Sequence, residues 1–479
     1  MRIMDINTIL NNILIALQNH FMAPAGYTVC EQIGHYLMSG IGILFTVFYT
    51  YQFIYVFIAL VKKPLTYPET DKTKRYGVLI AARNEEKVLP NLLKSILGQT
   101  YPSDLIDIYV VADNCTDHTA DVAREYGATV YERQNKERVG KGYALEFLFN
   151  CLKRDKGLRY YDAYMIIDAD NVLRANYVEE MDKAHCAGNR ILTSYRNSKN
   201  YGHNWVSAGY SLWFMREARH LNNPRSILRS SAAISGTGFL IDSEIIEKNN
   251  GWKHFLLTED IEFTIDSVLH GERVGYCHSA ELFDEQPETF RQSWRQRMRW
   301  AKGFFQVFRH YGWDLIKGSV MLRWSCFDLT MNIMPAFILS MIQLVGMAVL
   351  IPLNTILTGA VSIPLLESFA QFIGFAYGML FVLGFFTLLT EWKKIHCPKW
   401  KVIFHLFTFP LFMLTYIPIS MVALFSRVEW KPIEHRHAID TTDIDGQGAA
   451  KSAPAVPVAA PTEVPAEEKA EEKEPAGQK

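Results

Sequence analysis

Short clusters of ionisable residues, in a fixed order, hold the side chains of this chain that could do chemistry. They are Ala82-Arg83-Asn84-Glu85-Glu86, then Asp113, then Lys141 between Gly140 and Gly142. Asp168-Ala169-Asp170, Thr258-Glu259-Asp260 and Gln296-Arg297-Met298-Arg299-Trp300 follow. Asp113 ends an apolar run, where a carboxylate either caps the next helix or accepts from a ring N–H or a hydroxyl. In extended chain Asp168 and Asp170, two apart, point to one side, so both could face a single cation. Hard oxygen ligands suit Mg2+ or Mn2+, which reach a protein through one or two carboxylates and phosphate oxygens; solvated turn residues are the alternative. Lys141 precedes a helix expected over Tyr143–Leu152, where flexible backbone, a cation and a helix N-terminus favour phosphate, although a surface lysine would look the same.

Thr258 is a natural N-cap for an amphipathic helix over Ile261–Leu269, and acids in its first turn are favoured whatever their use. Asp260 could also be a general base, kept ionised by the helix dipole. Gln296, Arg299 and Trp300 fall within little more than one helical turn. They could grip a diphosphate, bond sugar hydroxyls and stack on a pyranose face. The same stretch also reads as a basic, aromatic helix lying on a membrane surface.

The elements that must hold these residues alternate in type. Gly77–Ala82, Ile108–Ala112 and Tyr164–Ile167 read as buried strands, with helices over Glu86–Leu97 and from about Thr116 to the Gly127 stop. Strands separated by such helices imply a mostly parallel, Rossmann-like sheet covered on both faces. In such sheets ligands bind beyond the carboxyl ends of the strands, where several of the clusters begin.

Apolar residues make up 49% of the 479-residue chain, and they are bunched. Tyr36–Val61 carries no charge and ends at Lys62-Lys63, which places that end in the cytosol. Ile333–Leu353, Phe369–Thr390 and Val402–Phe425 are further spans. The last has basic flanks and is interrupted by Pro410 and Pro418, as a re-entrant or broken helix would be. Ile6–Leu17 is amphipathic and too polar to span. Beyond about Gly446 the Ala/Pro/Glu/Lys composition predicts disorder. Lys+Arg 49 against Asp+Glu 50 leaves no basic field for nucleic acid. The seven cysteines lack a Cys-x-x-Cys pair, so neither a zinc site nor a disulfide framework is expected.

Taken together, these motifs resemble the membrane-embedded family 2 glycosyltransferases, the group of cellulose, hyaluronan, chitin and poly-N-acetylglucosamine synthases. The resemblance runs from Arg75 to His435 and includes Gly236-Thr237-Gly238. It implies a cytosolic GT-A domain at residues 70–290, interface helices at 291–332 and membrane helices at 36–62 and 333–427. The implied reaction is inverting transfer from a UDP-sugar with Mg2+ or Mn2+, in the plasma membrane. Carried over by position, Ala82, Arg83, Glu85, Asp113, Lys141, Asp168 and Arg299 would bind the nucleotide, Asp168 and Asp170 the metal, and Asp260 would be the base. Gly236, Thr237, Gly238, Glu259, Gln296 and Trp300 would hold the acceptor, and Trp430 and His435 would gate the nucleotide from residues 428–440. Cyclic-di-GMP-regulated cellulose synthases carry a Cys where this chain has Thr237 and a C-terminal barrel where it has the polar tail, so that regulation is not expected here. The implied partners are the UDP-sugar, a growing glycan, membrane lipids and accessory membrane or export subunits. Ceramide glucosyltransferases share the carboxylate and Arg-Trp arrangement, which leaves single transfer to a lipid acceptor as the alternative.

Overall fold

The structure is a computed structural model that describes residues 22–428. Ile6–Leu17, Trp430, His435 and the polar tail lie outside the described residues. Eight strands build one sheet: β1 (Tyr76–Ala82), β2 (Ile106–Asp113), β3 (Thr129–Arg133), β4 (Ala163–Asp168), β5 (Val172–Leu173), β6 (Ile191–Ser198), β7 (Phe239–Asp242) and β8 (Val274–Asp284). Their spatial order is β3-β2-β1-β4-β7-β6-β8-β5. The β3-β2-β1-β4 half is parallel throughout, β7 runs antiparallel to both β4 and β6, and β8 returns parallel to β6.

Continuous apolar runs form these strands because both faces are covered. Val78 and Ile80 pack with Leu89, Leu92, Leu93 and Ile96 on one face. Leu79, Tyr109 and Val111 pack with Leu145, Leu148 and Leu152 on the other. This is the mostly parallel α/β domain the alternating pattern predicts. In the β1–β4 register Ala81 lies opposite Asp168, and Ala82 opposite Ala112 of β2, so the ends of three strands share one edge.

Four helical stretches are long and apolar enough to cross a membrane: Val29–Val61, Trp324–Thr358, Ile363–Lys394 and Lys399–Phe425. The first starts earlier than the charge-free run Tyr36–Val61. Thr28 forms a capping box with Glu31, whose carboxylate also accepts from Ser362 at 2.5 Å and is buried. The last is broken, but Pro410 lies inside the helix Lys399–Leu414 and the break falls at Thr415. Pro418 sits in the first turn of the helix Tyr416–Phe425, where a missing N–H is tolerated. The guanidinium of Arg297 supports the break, donating to the Phe412 carbonyl at 2.9 Å and to Thr415 Oγ1 at 2.8 Å. Arg297 belongs to a 31-residue helix, Phe290–Val320, which joins the sheet domain to these apolar helices.

Candidate active site

Asp113 closes β2 and accepts from Arg133 Nη1, at the end of β3, at 2.5 Å. Asn114 Nδ2 donates to the same carboxylate at 3.0 Å. The capping alternative falls, because the next helix begins only at Thr119. Asp168 closes β4, and Ala169-Asp170 is a turn rather than extended chain, with Asn171 N–H bonded back to the Asp168 carbonyl at 3.0 Å. Even so, both carboxylates line one cavity with Asp113, Ala82, Arg83 and Glu85.

Lys141 is the first residue of the helix Lys141–Asp155, two residues ahead of the expected start. Its ammonium donates to Asp168 Oδ1, and to the Gly236 carbonyl at 2.8 Å. Burial opposes the charged form of Lys141, but Asp168, Glu259 and Asp260 more than offset it and its pKa rises. Gly236 N–H donates to Asp260 Oδ2 at 2.6 Å. Gly236 therefore ties the Asp168 end of the cavity to the Asp260 end, at a φ of +81° that favours glycine.

Asp260 lies in the first turn of the helix Glu259–Leu269. The N–H groups of Ile261 and Gly236, with Lys141 and Arg299, lower its pKa, but burial is the larger effect and the net shift is upward. The expected dipole effect is thus present and outweighed. Burial, then the charge of Asp260, lifts Glu259 to about 7 against Lys141 and Arg299. Thr258 occupies the N-cap position without capping, and its buried hydroxyl packs on Gly303.

Gln296, Arg299 and Trp300 all reach the cavity from the helix Phe290–Val320. Arg299 Nη1 bonds the Leu257 carbonyl at 3.4 Å, and Trp300 stands edge-on to Tyr210, with ring centroids 5.7 Å apart. Of the glycine loop only Gly236 lines the cavity. Thr237 lies behind it, accepting from Asp168 N–H at 2.8 Å and donating to Asn171 at 2.6 Å. A Cβ at Gly238 would come within 2.0 Å of Leu282, so that glycine is a packing requirement.

Sequence patterns did not single out Arg133, Arg196, Lys199 or Asp284. Arg196 Nε donates to Asp284 Oδ2 at 2.7 Å, and Lys199 Nζ to the Asp170 carbonyl at 2.5 Å. Asp284 ends an apolar strand, the same signal that marks Asp113 and Asp168. Burial, then Asp284 and Asp168, push Asp170 well above the usual carboxylate range. Burial and the charges of Asp168, Glu285 and Asp117 push Glu85 up to about 8.

Among the described residues no three His, Cys, Asp or Glu side chains form a metal cage. The donor set nevertheless fits a divalent ion that shares its coordination with a ligand. Asp168, Asp170, Asp284, Glu85 and Glu285 crowd this wall beside Arg83, Lys141, Arg196 and Lys199, and the upward shifts of Asp170 and Glu85 are those of crowded carboxylates that a divalent ion would relieve.

Residues 74–303 match the "Glycosyltransferase like family 2". A probable glycosyltransferase of Bacillus subtilis is 30% identical over 246 residues, 48% of this chain and 55% of its own length. A beta-monoglucosyldiacylglycerol synthase of Nostoc is 26% identical over 55% of this chain and 56% of its own. A poly-beta-1,6-N-acetyl-D-glucosamine synthase of Staphylococcus epidermidis is 23% identical over 52% and 59%. The chain thus spans little more than half the length of these relatives. In fold it is similar to a mannosyltransferase from Pyrobaculum calidifontis solved with GDP-mannose and Mn2+, with a TM-score of 0.51 and 15% identity over 81% of this chain and 99% of the other. Residues 74–303 are therefore a glycosyltransferase family 2 domain.

Proposed function

We propose that the chain is a processive, inverting β-glycosyltransferase that polymerises a UDP-sugar, UDP-glucose foremost and UDP-N-acetylglucosamine next, and passes the product between its own membrane helices. The observation that carries this reading is one continuous cavity of about 1870 Å3, extending from Asp113 and Asp168 past Asp260 and Trp300 into the apolar helices. There it is lined by His35, Ser39 and Thr46 of the first span, Gln343 of the second and Gln371 of the third. His35 Nε2, Gln296 Oε1 and Gln343 Oε1 are buried without a hydrogen-bond partner among the described residues. These polar side chains stand among Phe45, Phe372, Phe375 and Leu383, a mixed wall that suits a guest with both hydroxyls and apolar ring faces, as a sugar has.

In this reading Asp113, held by Arg133, takes the uridine, while Lys141 and Arg299 face the diphosphate. Asp168 and Asp170 would hold Mg2+ or Mn2+, which offsets charge on the departing diphosphate. Asp260 removes the proton of the acceptor hydroxyl, whose oxygen bonds the anomeric carbon from the face opposite the diphosphate. The carbon–oxygen bond to the diphosphate breaks, UDP departs and the configuration inverts. Glu259 and Gln296 would position the acceptor, with Trp300 under its sugar ring. The sheet domain lies on the cytosolic side of the plasma membrane, where UDP-sugars are made. Gating by Trp430 and His435 is part of the proposal, tested by unchanged UDP affinity in Trp430→Ala, which would remove it.

The similarity to diacylglycerol glucosylating enzymes supports a second reading, transfer of one sugar to a membrane lipid. One experiment separates the two. The purified full chain receives each UDP-sugar with Mg2+ or Mn2+; UDP release is followed and the product sized. A long β-linked polymer supports the first reading, one sugar on a lipid supports the second, and no UDP release overturns both.

A further inference from the structure

A second groove, of about 510 Å3, opens on the surface and shares no lining residue with the cavity described above. Three arginines reach it from separate segments. Arg229 follows the helix Asn223–Ile227, Arg273 precedes β8, and Arg323 stands at the N-cap position of the helix Trp324–Ile333. Arg323 Nη2 donates to the Val268 carbonyl at 2.7 Å, and Arg273 Nη2 to Asn189 Oδ1 at 3.2 Å. None of the three pairs with a carboxylate among the described residues. The acidic residue of the groove, Glu272, is already held by Arg190 Nη1 at 2.7 Å. Guanidinium groups gathered without counter-charges make an anion site, and their planar forks suit phosphate oxygens. Trp324 and Ser325, in the first turn of the adjoining helix, add the partial positive charge of its N-terminus.

Uncovered apolar side chains flank this groove. Trp313, Ile316 and Val320 share one face of the helix Phe290–Val320, and Met321 and Leu322 carry the apolar run up to Arg323. All five are exposed, Leu322 at 91%. Trp324 begins the candidate membrane span Trp324–Thr358, and its Nε1 donates to Tyr55 Oη at 2.7 Å. Tyr55 belongs to the first span, about two turns before Lys62. The groove and its apolar flank therefore stand at the depth where that span leaves the hydrocarbon, the depth of lipid headgroups.

Together the two features select one occupant. Free phosphate would use the arginines and leave the apolar flank in water. A zwitterionic headgroup carries a quaternary ammonium that the guanidinium groups repel. An anionic phospholipid meets both demands: its phosphate accepts from the arginines while its acyl chains cover the neighbouring apolar face. We propose that Arg229, Arg273 and Arg323 form a binding site for the headgroup of an anionic phospholipid in the leaflet next to the sheet domain, separate from any acceptor in the main cavity.

The site does not depend on the reaction proposed above, and its test needs no turnover. The purified full chain in detergent is titrated with dihexanoyl-phosphatidylglycerol, dihexanoyl-phosphatidylcholine or inorganic phosphate, and its melting temperature is followed. Phosphatidylglycerol should raise it in a saturable way, and the other two should raise it less at equal concentration. Arg229→Gln should move the phosphatidylglycerol midpoint to a roughly fivefold higher concentration, the share of one arginine near an anionic lipid, and Arg229→Gln/Arg273→Gln should move it further. Equal responses to the two lipids, or an unchanged midpoint in the double variant, would overturn the site. An equal response to inorganic phosphate would make it a site for free phosphate and overturn the lipid. A second readout uses the wild type alone, so it stands even where a variant fails to fold. Phosphatidylglycerol bearing a photoactivatable group near its headgroup should label residues 228–230, 271–273 or 320–325, and labelling confined to other segments argues against the site.

Discussion

Asp260 is held by a backbone N–H at 2.6 Å and surrounded by Lys141, Arg299 and Glu259, so a change of one atom in its carboxyl is informative. Asp260→Asn keeps the shape and removes the base. Its kcat should fall by about 10²–10⁴-fold with nucleotide-sugar affinity retained, measured by UDP release and by UDP titration. Burial raises the Asp260 pKa, and only its ionised form can take a proton. The acid limb of the wild-type kcat profile should therefore lie above the ordinary aspartate value of 3.8, and a limb at or below it would contradict the burial argument. Arg133 offers a further test at this scale. Arg133→Ala leaves Asp113 buried beside Asn114 alone, a change that costs about 3–5 kcal/mol in comparable pairs. Both UDP affinity and melting temperature should drop. The Asp113–Arg133 pair also shows where the sequence stops being legible. The residues around Asp113 allowed a helix cap or a ligand contact, and only a partner at the end of the neighbouring strand separates them.

At the scale of elements, the helix Phe290–Val320 must lie close against the start of the helix Glu259–Leu269. Gly303 allows it: a Cβ there would stand 2.5 Å from Thr258 Cγ2 and 2.6 Å from Thr258 Oγ1. Replacing a mid-helix glycine with alanine normally stabilises by about 0.5–1 kcal/mol, but the overlap here should outweigh that and cost about 1–3 kcal/mol. Gly303→Ala should lower both melting temperature and turnover, and Thr258→Ala in the same chain should restore much of each. Additive losses in that double mutant would mean the two helices do not press on one another. The strands and most helices were readable from period and punctuation, because a buried parallel strand needs an unbroken apolar run. The Thr415 break was not placed correctly from Pro410 and Pro418. A proline marks where a hydrogen bond is missing, whereas the position of the break also depends on Arg297, more than a hundred residues away in sequence.

For the molecule as a whole, buried neutral histidines set an acid limit. Burial, then Arg216 and Arg219, lowers His220 to about 3, and burial, then Lys394 and Arg219, lowers His278 to about 2. The unfolded chain therefore takes up these protons near 6.5 while the folded chain resists them. Stability is complete above that pH and declines as the medium is acidified toward 3. Glu85 and Glu259, raised to about 8 and about 7, pull the other way in this range, so the histidine share is read by difference: between pH 7.5 and 5 the melting temperature of His278→Phe in detergent should fall less, or rise more, than that of the wild type.

The single cavity that joins the sheet domain to the apolar helices has a cost for any cell that carries it. In the proposed membrane setting, water and ions could follow the same route and discharge the electrochemical gradient across the bilayer. Phe372 and Phe375 line it among the polar side chains, and an apolar lining is wetted less readily than a polar one. Proteoliposomes holding Phe372→Ser/Phe375→Ser should leak protons faster than those holding the wild type, read with an entrapped pH-sensitive dye. The tightness of the membrane around an empty cavity would then depend on these two rings.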